Sequence, residues 1–134
     1  MFRLIRVRNG RNNVGEPMYL PTATAGKLYR YGEPLVLANG VLAACPQTTR
    51  PAFICGETYD TAKDPAIPIA VYPVDPVCEY ECSVTVKPTS LAVGKLYTHD
   101  GVGGITATTE GGTAQLIDKN NAKEIGDTVI VRFP

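Results

Sequence analysis

The sequence predicts an all-β protein made of two similar short-stranded units, packed as a compact sandwich or small barrel. Three observations carry that expectation. Thirteen glycines and eleven prolines in 134 residues exceed the usual ~7% and ~5% and punctuate the chain too often for long helices. The apolar runs are short and rich in Val, Ile and Thr, and none sustains a 3.6-residue period with caps. One strand–turn–strand pattern occurs twice, and a lone three- or four-stranded unit cannot cover its own apolar face.

The elements follow in chain order. Residues 2–8, FRLIRVR, alternate in part and read as strand-like, and NGRNNVGEP reads as a loop. MYLPTATA is a short extended piece. PLVLANGVLAA holds two apolar runs around Asn39-Gly40, a pair that tolerates positive φ at both central positions of a type I′ turn, so it predicts a β-hairpin. PQTTRP is a loop, AFIC a short buried strand and GETYDTAKDPA a polar loop. IPIAVYP is a strand whose Pro68 favours an edge or a bulge. In VCEYECSVTV, Val77, Glu79, Glu81 and Ser83 fall on one face and Cys78, Tyr80, Cys82, Val84 and Val86 on the other. KPTSLAV is a connector with one irregular turn. Asp100-Gly101 marks a second hairpin-type turn, and TAQLID and DTVIVRF are the closing strands.

The tetrapeptide Gly-Lys-Leu-Tyr occurs at 26–29 and again at 94–97. Superposing the turns instead, Asn39-Gly40 on Asp100-Gly101, brings Gly32 to Gly94, Leu35 to Leu96, AFIC near QLID, and IPIAVYP onto TVIVRFP. On that alignment the second tetrapeptide corresponds to Gly32–Leu35 rather than to its literal copy. The expectation is duplication or two similar lobes, 21–75 and 76–134, within one β domain (21–134) that follows an extended N-terminal arm (1–20). Chance likeness between strand–turn segments is the alternative.

Composition bounds the partners. Hydrophobic residues are 44%, charged residues 19% and the net charge is zero, which suits a globular chain and argues against a dedicated nucleic-acid binder. No apolar run approaches the ~18 residues of a membrane helix. Arg3, Arg6 and Arg8 interrupt the start, so it lacks the roughly 7–15-residue apolar stretch of a signal peptide, and synthesis in a cytosol is expected. That compartment disfavours a disulfide framework for the four cysteines. Cys78 and Cys82 on one strand stand roughly 13 Å apart, too far to bond each other. Buried or free thiols are favoured over disulfides and over a metal site, since His99 is the sole histidine.

A search for chemistry ends without a reactive centre. Ser83 and Ser90 lie in no nucleophile motif. His99 and Asp100 are adjacent on a strand and point to opposite faces, so His99 reads as a hairpin-surface residue. Glu79 and Glu81 read as structural or solvated carboxylates, because no aromatic platform accompanies them to hold a sugar. GVGG leads into a strand rather than a helix N-terminus, so it makes no phosphate loop. No enzyme activity, cofactor or metal is expected. The one segment with the look of a docking element is the N-terminus, where Arg3, Arg6, Arg8 and Arg11 concentrate positive charge in a neutral protein. Two readings fit it. It is an arm that docks on an acidic surface or adds a strand to a neighbour's sheet, or it is an ordinary first strand with solvated arginines. The candidate partner-binding residues are Phe2, Arg3, Leu4, Arg6, Arg8, Arg11 and Tyr19.

The stretch EPMYLPTATAGKLYRYGEPLVLANGVLAACPQTTRPAFICGE, the strand IPIAVYPVDPVCEYE, VGKLYTHDGVGGITATTEGGTAQLID and the closing GDTVIVRF resemble small proteins of tailed phages and prophages of gut bacteria. The likeness covers about nine-tenths of the chain and rests on structural rather than catalytic residues. It implies a capsid decoration (cement) protein or related head-associated component. The implied partners are the major capsid protein and neighbouring copies, as in a cyclic oligomer such as a trimer, with no nucleic acid and no membrane. The implied location is the capsid surface of the virion, after synthesis in the host cytoplasm. Another head, neck or fibre component, or a host-surface binding module, is the alternative. The cysteines and the more basic start depart from the pattern.

Overall fold

The computed structural model describes residues 1–7 and 16–134, the side chains of Arg6 and Val7 excepted. Its strands, numbered in chain order, form three sheets. A six-stranded sheet runs β1 (Arg3–Val7), β9 (Cys78–Val84), β13 (Thr128–Arg132), β12 (Ala114–Asp118), β10 (Leu96–Tyr97), and β11 (Gly104–Ile105) also pairs with β9. A five-stranded sheet runs β2 (Met18–Leu20), β8 (Ile69–Pro73), β6 (Phe53–Cys55), β4 (Pro34–Ala38), β5 (Val41–Ala44). The short strands β3 (Leu28–Tyr29) and β7 (Tyr59–Asp60) pair with each other, so the polar loop expected at 56–66 contains a strand. Among the described residues the helical content is one 3₁₀ turn, Pro88–Ser90, in the expected connector.

The local signals explain most of these elements. Asn39 and Gly40 have φ of 52° and 79° and join β4 to β5 in register, Ala38 opposite Val41. That is the geometry a two-residue Asn-Gly turn supplies. On β9 the face carrying Tyr80, Cys82 and Val84 is buried, as alternation predicts. Glu79, expected on the solvated face, is 1% exposed; its register partner on the edge strand is Arg6. Pro68 does not mark an edge. It lies just before β8, which is interior to its sheet, between β2 and β6.

The first turn follows the expectation and the second departs from it. His99 bridges Ile105, but five residues lie between them. Asp100 Oδ1 accepts the N–H groups of Val102, Gly103 and Gly104 at 2.9, 2.8 and 2.8 Å. An aspartate that gathers three successive amides closes a longer loop than a two-residue turn, with Gly101 in the left-handed region at φ 84°.

Two apolar clusters fill the interior. One comprises Leu35, Leu42, Cys55, Ile69 and Val71 of the five-stranded sheet together with Tyr29 of β3. The other belongs to the six-stranded sheet and includes Tyr80, Cys82, Leu116, Val129, Val131 and Phe133. Two residues from the N-terminal half join this second cluster, Phe2 and Ile54. On β6, Cys55 lies in one cluster and Ile54 in the other, as the period of two requires.

The two halves share a plan at two levels. As the superposed turns predict, β4, β6 and β8 are neighbours in one sheet and β10, β12 and β13 are neighbours in the other. The literal repeat is echoed only in side-chain environment. Leu28 and Leu96 are 37% and 40% exposed, whereas Leu35 is fully buried. Tyr29 and Tyr97 are both buried, and each hydroxyl accepts the N–H of an upstream alanine, Ala23 at 2.9 Å and Ala92 at 2.7 Å. In the backbone, Gly32 and Gly94 donate to Cys55 O and Leu116 O, whose own N–H groups return to Glu33 O and Lys95 O, so the second Gly-Lys-Leu-Tyr lies where the superposed turns predict, on Gly32–Leu35.

Candidate functional site

The candidate partner-binding residues divide sharply. β1 is an edge strand of the six-stranded sheet, antiparallel to β9, with Arg3 opposite Glu81 and Leu4 opposite Tyr80. Residues 3–7 thus form an ordinary first strand rather than a free arm. Phe2 is 1% exposed and packs edge-on against Phe133, ring centroids 5.2 Å apart, so it is a core residue and offers no surface. Leu4 is half-buried against the same cluster. Arg3 is exposed and its guanidinium pairs with Glu81. Arg6 is known by its register opposite Glu79, while Arg8 and Arg11 lie outside the described residues. Tyr19 sits on β2, the edge of the other sheet, and is 66% exposed, with Met18 beside it at 44%.

The direction of the backbone at Tyr19 follows from register. On β8, Ala70 and Val74 spend backbone groups toward β6, through Gly56 N–H to Ala70 O and Val74 N–H to Ala52 O. Residues of that parity face β6, so Ile69 and Val71 face β2 and bond their partners Leu20 and Met18. Tyr19, opposite Ala70, therefore turns its N–H and C=O outward. Two residues on, Pro21 O accepts the N–H of Leu42 on β5 at 2.8 Å, which ties the chain leaving one margin of this sheet to the opposite margin.

The edge strands are blunted against indiscriminate pairing. β1 carries Arg3 and Arg6 and an irregularity between Leu4 and Arg6. β2 is three residues long and stands between Pro17 and Pro21.

The halves are stitched together by the loop after β5. Arg50 donates from Nε and Nη2 to Phe133 O at 3.3 and 3.1 Å. Thr49 O receives His99 Nε2 at 3.0 Å, Cys45 Sγ at 3.2 Å and Thr113 Oγ1 at 3.5 Å. His99 is fully buried, which corrects the expectation of a hairpin-surface residue. No spacing rule marks such a site, because Thr49 lies fifty residues away in sequence. On the far side, the Met1 ammonium donates to Gly103 O and Phe2 N–H donates to Gly32 O at 3.0 Å.

The electrostatics of this junction favour structure over reactivity. Burial pushes the Cys45 thiol up to about 11, and it raises Cys55, Cys78 and Cys82 as well. The four cysteines are unpaired, and a thiol held protonated is a poor nucleophile. Cys45 and His99 both donate to one carbonyl, so neither activates the other. Lys27 and the buried Glu33 form an ion pair at 2.7 Å, and the ammonium also lies over the Tyr29 ring. Among the described residues, no group of three or more His, Cys, Asp and Glu is arranged to hold a metal ion. No helix among them is long and apolar enough to cross a membrane. Comparison of the chain with protein families, with characterised proteins and with solved structures finds no match.

Proposed function

We propose that this chain decorates the capsid of a tailed phage, binding the major capsid protein and stabilising the shell by covering area on it. What supports the reading is the position of its first twenty residues. Among the described residues there, the strands β1 and β2 lie at sheet margins and present large side chains to solvent: Ile5 at 39%, Met18 at 44% and Tyr19 at 66% exposed. A subunit repeated over a lattice turns such modest contacts into firm attachment, because each added contact is effectively intramolecular. Arg3, already partnered by Glu81, would serve orientation more than affinity.

The two units are proposed to form a compact body in which the five-stranded sheet curls toward a small barrel. The Pro21–Leu42 hydrogen bond between its margins favours that shape, and Ile54 reaching the other cluster favours close packing of the two units.

The test is the composition of virions induced from a strain that encodes the chain. Cryo-EM should show it on the shell at a fixed ratio to the major capsid protein. Its absence from purified virions by mass spectrometry would overturn the proposal, and its confinement to one vertex would move it to a neck or fibre role.

A further inference from the structure

We propose that His99 is a pH-operated latch: its protonation releases the 100–104 loop and, with it, the N-terminal end of β1. The inference starts from the two hydrogen bonds of a buried ring. Nδ1 faces the N–H of Gly101 at 3.1 Å, so it is an acceptor and carries no proton. Nε2 faces Thr49 O at 3.0 Å, so it carries the proton and donates it. The neighbours thus dictate the neutral Nε2–H imidazole.

A second proton has one place to go, Nδ1, where it meets the Gly101 N–H donor against donor. Relief requires that amide to turn away. Gly101 cannot move alone. The next three amides are gathered on Asp100 Oδ1, and Gly103 O holds the Met1 ammonium. A Cβ placed on Gly103 would overlap the backbone of Met1, which shows how closely the loop clamps the chain start. The same loop leads into β11, which pairs with β9 at Ser83 and Val84, next to the Cys78–Glu81 stretch occupied by β1. Displacing the loop therefore loosens Met1, Phe2 and Arg3 before it disturbs β12 or β13.

The charges around the ring are few. Asp100, next in the chain, favours the imidazolium. The Thr49 and Pro46 carbonyls favour it too, and Cys45, sharing Thr49 O, is a neutral thiol. Burial outweighs the favourable contacts and holds the imidazole below its ordinary value. The open loop exposes a ring of ordinary pKa, about 6.5. Opening therefore gains nothing above that pH and is favoured progressively as pH falls from there toward the folded-state value. The fold supplies the switch whatever surface β1 meets.

Hydrogen exchange of the full chain, corrected for intrinsic rates, tests this between about pH 7.5 and about pH 5. The expected result is a loss of protection at Gly101, Gly103, Gly104 and Phe2 of about tenfold per unit of pKa difference between closed and open states, with Leu116 and Val131 unchanged. His99→Gln should lack this pH-dependent step. Equal protection at both pH values, or the same step in the variant, would overturn the latch. Should the variant fail to fold, ¹⁵N NMR of the unaltered protein decides. A protonated Nε2 and bare Nδ1 at neutral pH, with the Gly101 amide shifting as the ring titrates, supports the latch. The opposite tautomer, or a ring titrating at its ordinary value, overturns it.

Discussion

Tyr29 and Tyr97 share one hydrogen-bonding arrangement on different sheets: each is buried next to an exposed leucine in sequence, and each hydroxyl receives the N–H of an alanine upstream. Tyr29 adds a bond to Leu42 O at 2.7 Å, which links β3 to the hairpin strand β5. Removing either hydroxyl strands a backbone donor. Tyr97→Phe should cost about 1–2 kcal/mol, and Tyr29→Phe more, because it also abandons the Leu42 carbonyl. Urea unfolding of both variants and the double mutant checks this. Near-additive losses are expected, since the two hydroxyls share no partner.

Gly103 and Gly40 separate packing from backbone strain. Both have positive φ, 144° and 79°, yet a Cβ on Gly40 meets nothing within 4 Å while one on Gly103 strikes Met1. Gly40→Ala should cost about 1 kcal/mol or slightly more, the strain of the left-handed region alone. Gly103→Ala should cost several-fold more and should raise exchange at Phe2. Equal losses in thermal or urea unfolding would mean that the Met1 contact carries no stability.

Asp100 sets a second acid transition, distinct from that of His99. Burial alone would raise its carboxyl, but the amides of Gly104, Val102 and Gly103 outweigh burial and leave it below the ordinary value. A depressed folded-state pKa means that its stabilisation is complete above the unfolded value, about 3.9, and is lost as pH falls through the folded value. Asp100→Asn should remove that acid-limb loss and lower stability at neutral pH by about 1–2 kcal/mol, the difference between charged and neutral acceptors. Unfolding free energies across the acid range read both effects.

Ile54 tests how firmly the units are joined. It springs from β6 in the five-stranded sheet but packs in the cluster of the other, at 4% exposure. Ile54→Ala should cost about 2–5 kcal/mol and still unfold in one transition if the clusters are coupled. Two separated transitions in calorimetry would show independent lobes.

The thiols give a quick check of burial. Cys45, Cys55 and Cys82 are buried and Cys78 is half-buried. A thiol reagent should label Cys78 slowly in the native state and all four cysteines rapidly in denaturant. Fast native labelling of Cys82, which lies beneath the meeting point of β1 and β11, would contradict the fold.

Local chemistry carried much of the architecture. Asn39-Gly40, the alternation through Tyr80, Cys82 and Val84, and the short apolar runs at 53–55 and 128–133 each announce their element, because turn conformation and face alternation depend on neighbours in sequence. The neighbour relations of the superposed turns were legible for the same reason. Among the candidate partner residues, Tyr19 and Arg3 are exposed, whereas Phe2 is a core residue. A phenylalanine at position 2 looks the same in the sequence whether it waits for a partner or packs on Phe133, and long-range packing distinguishes the two. His99 shows this most plainly. An Asx-Gly turn suggests a solvated neighbour, but burial is set by what folds back over a residue, and the carbonyl that fixes this imidazole comes from Thr49, in a loop that sequence proximity cannot bring near.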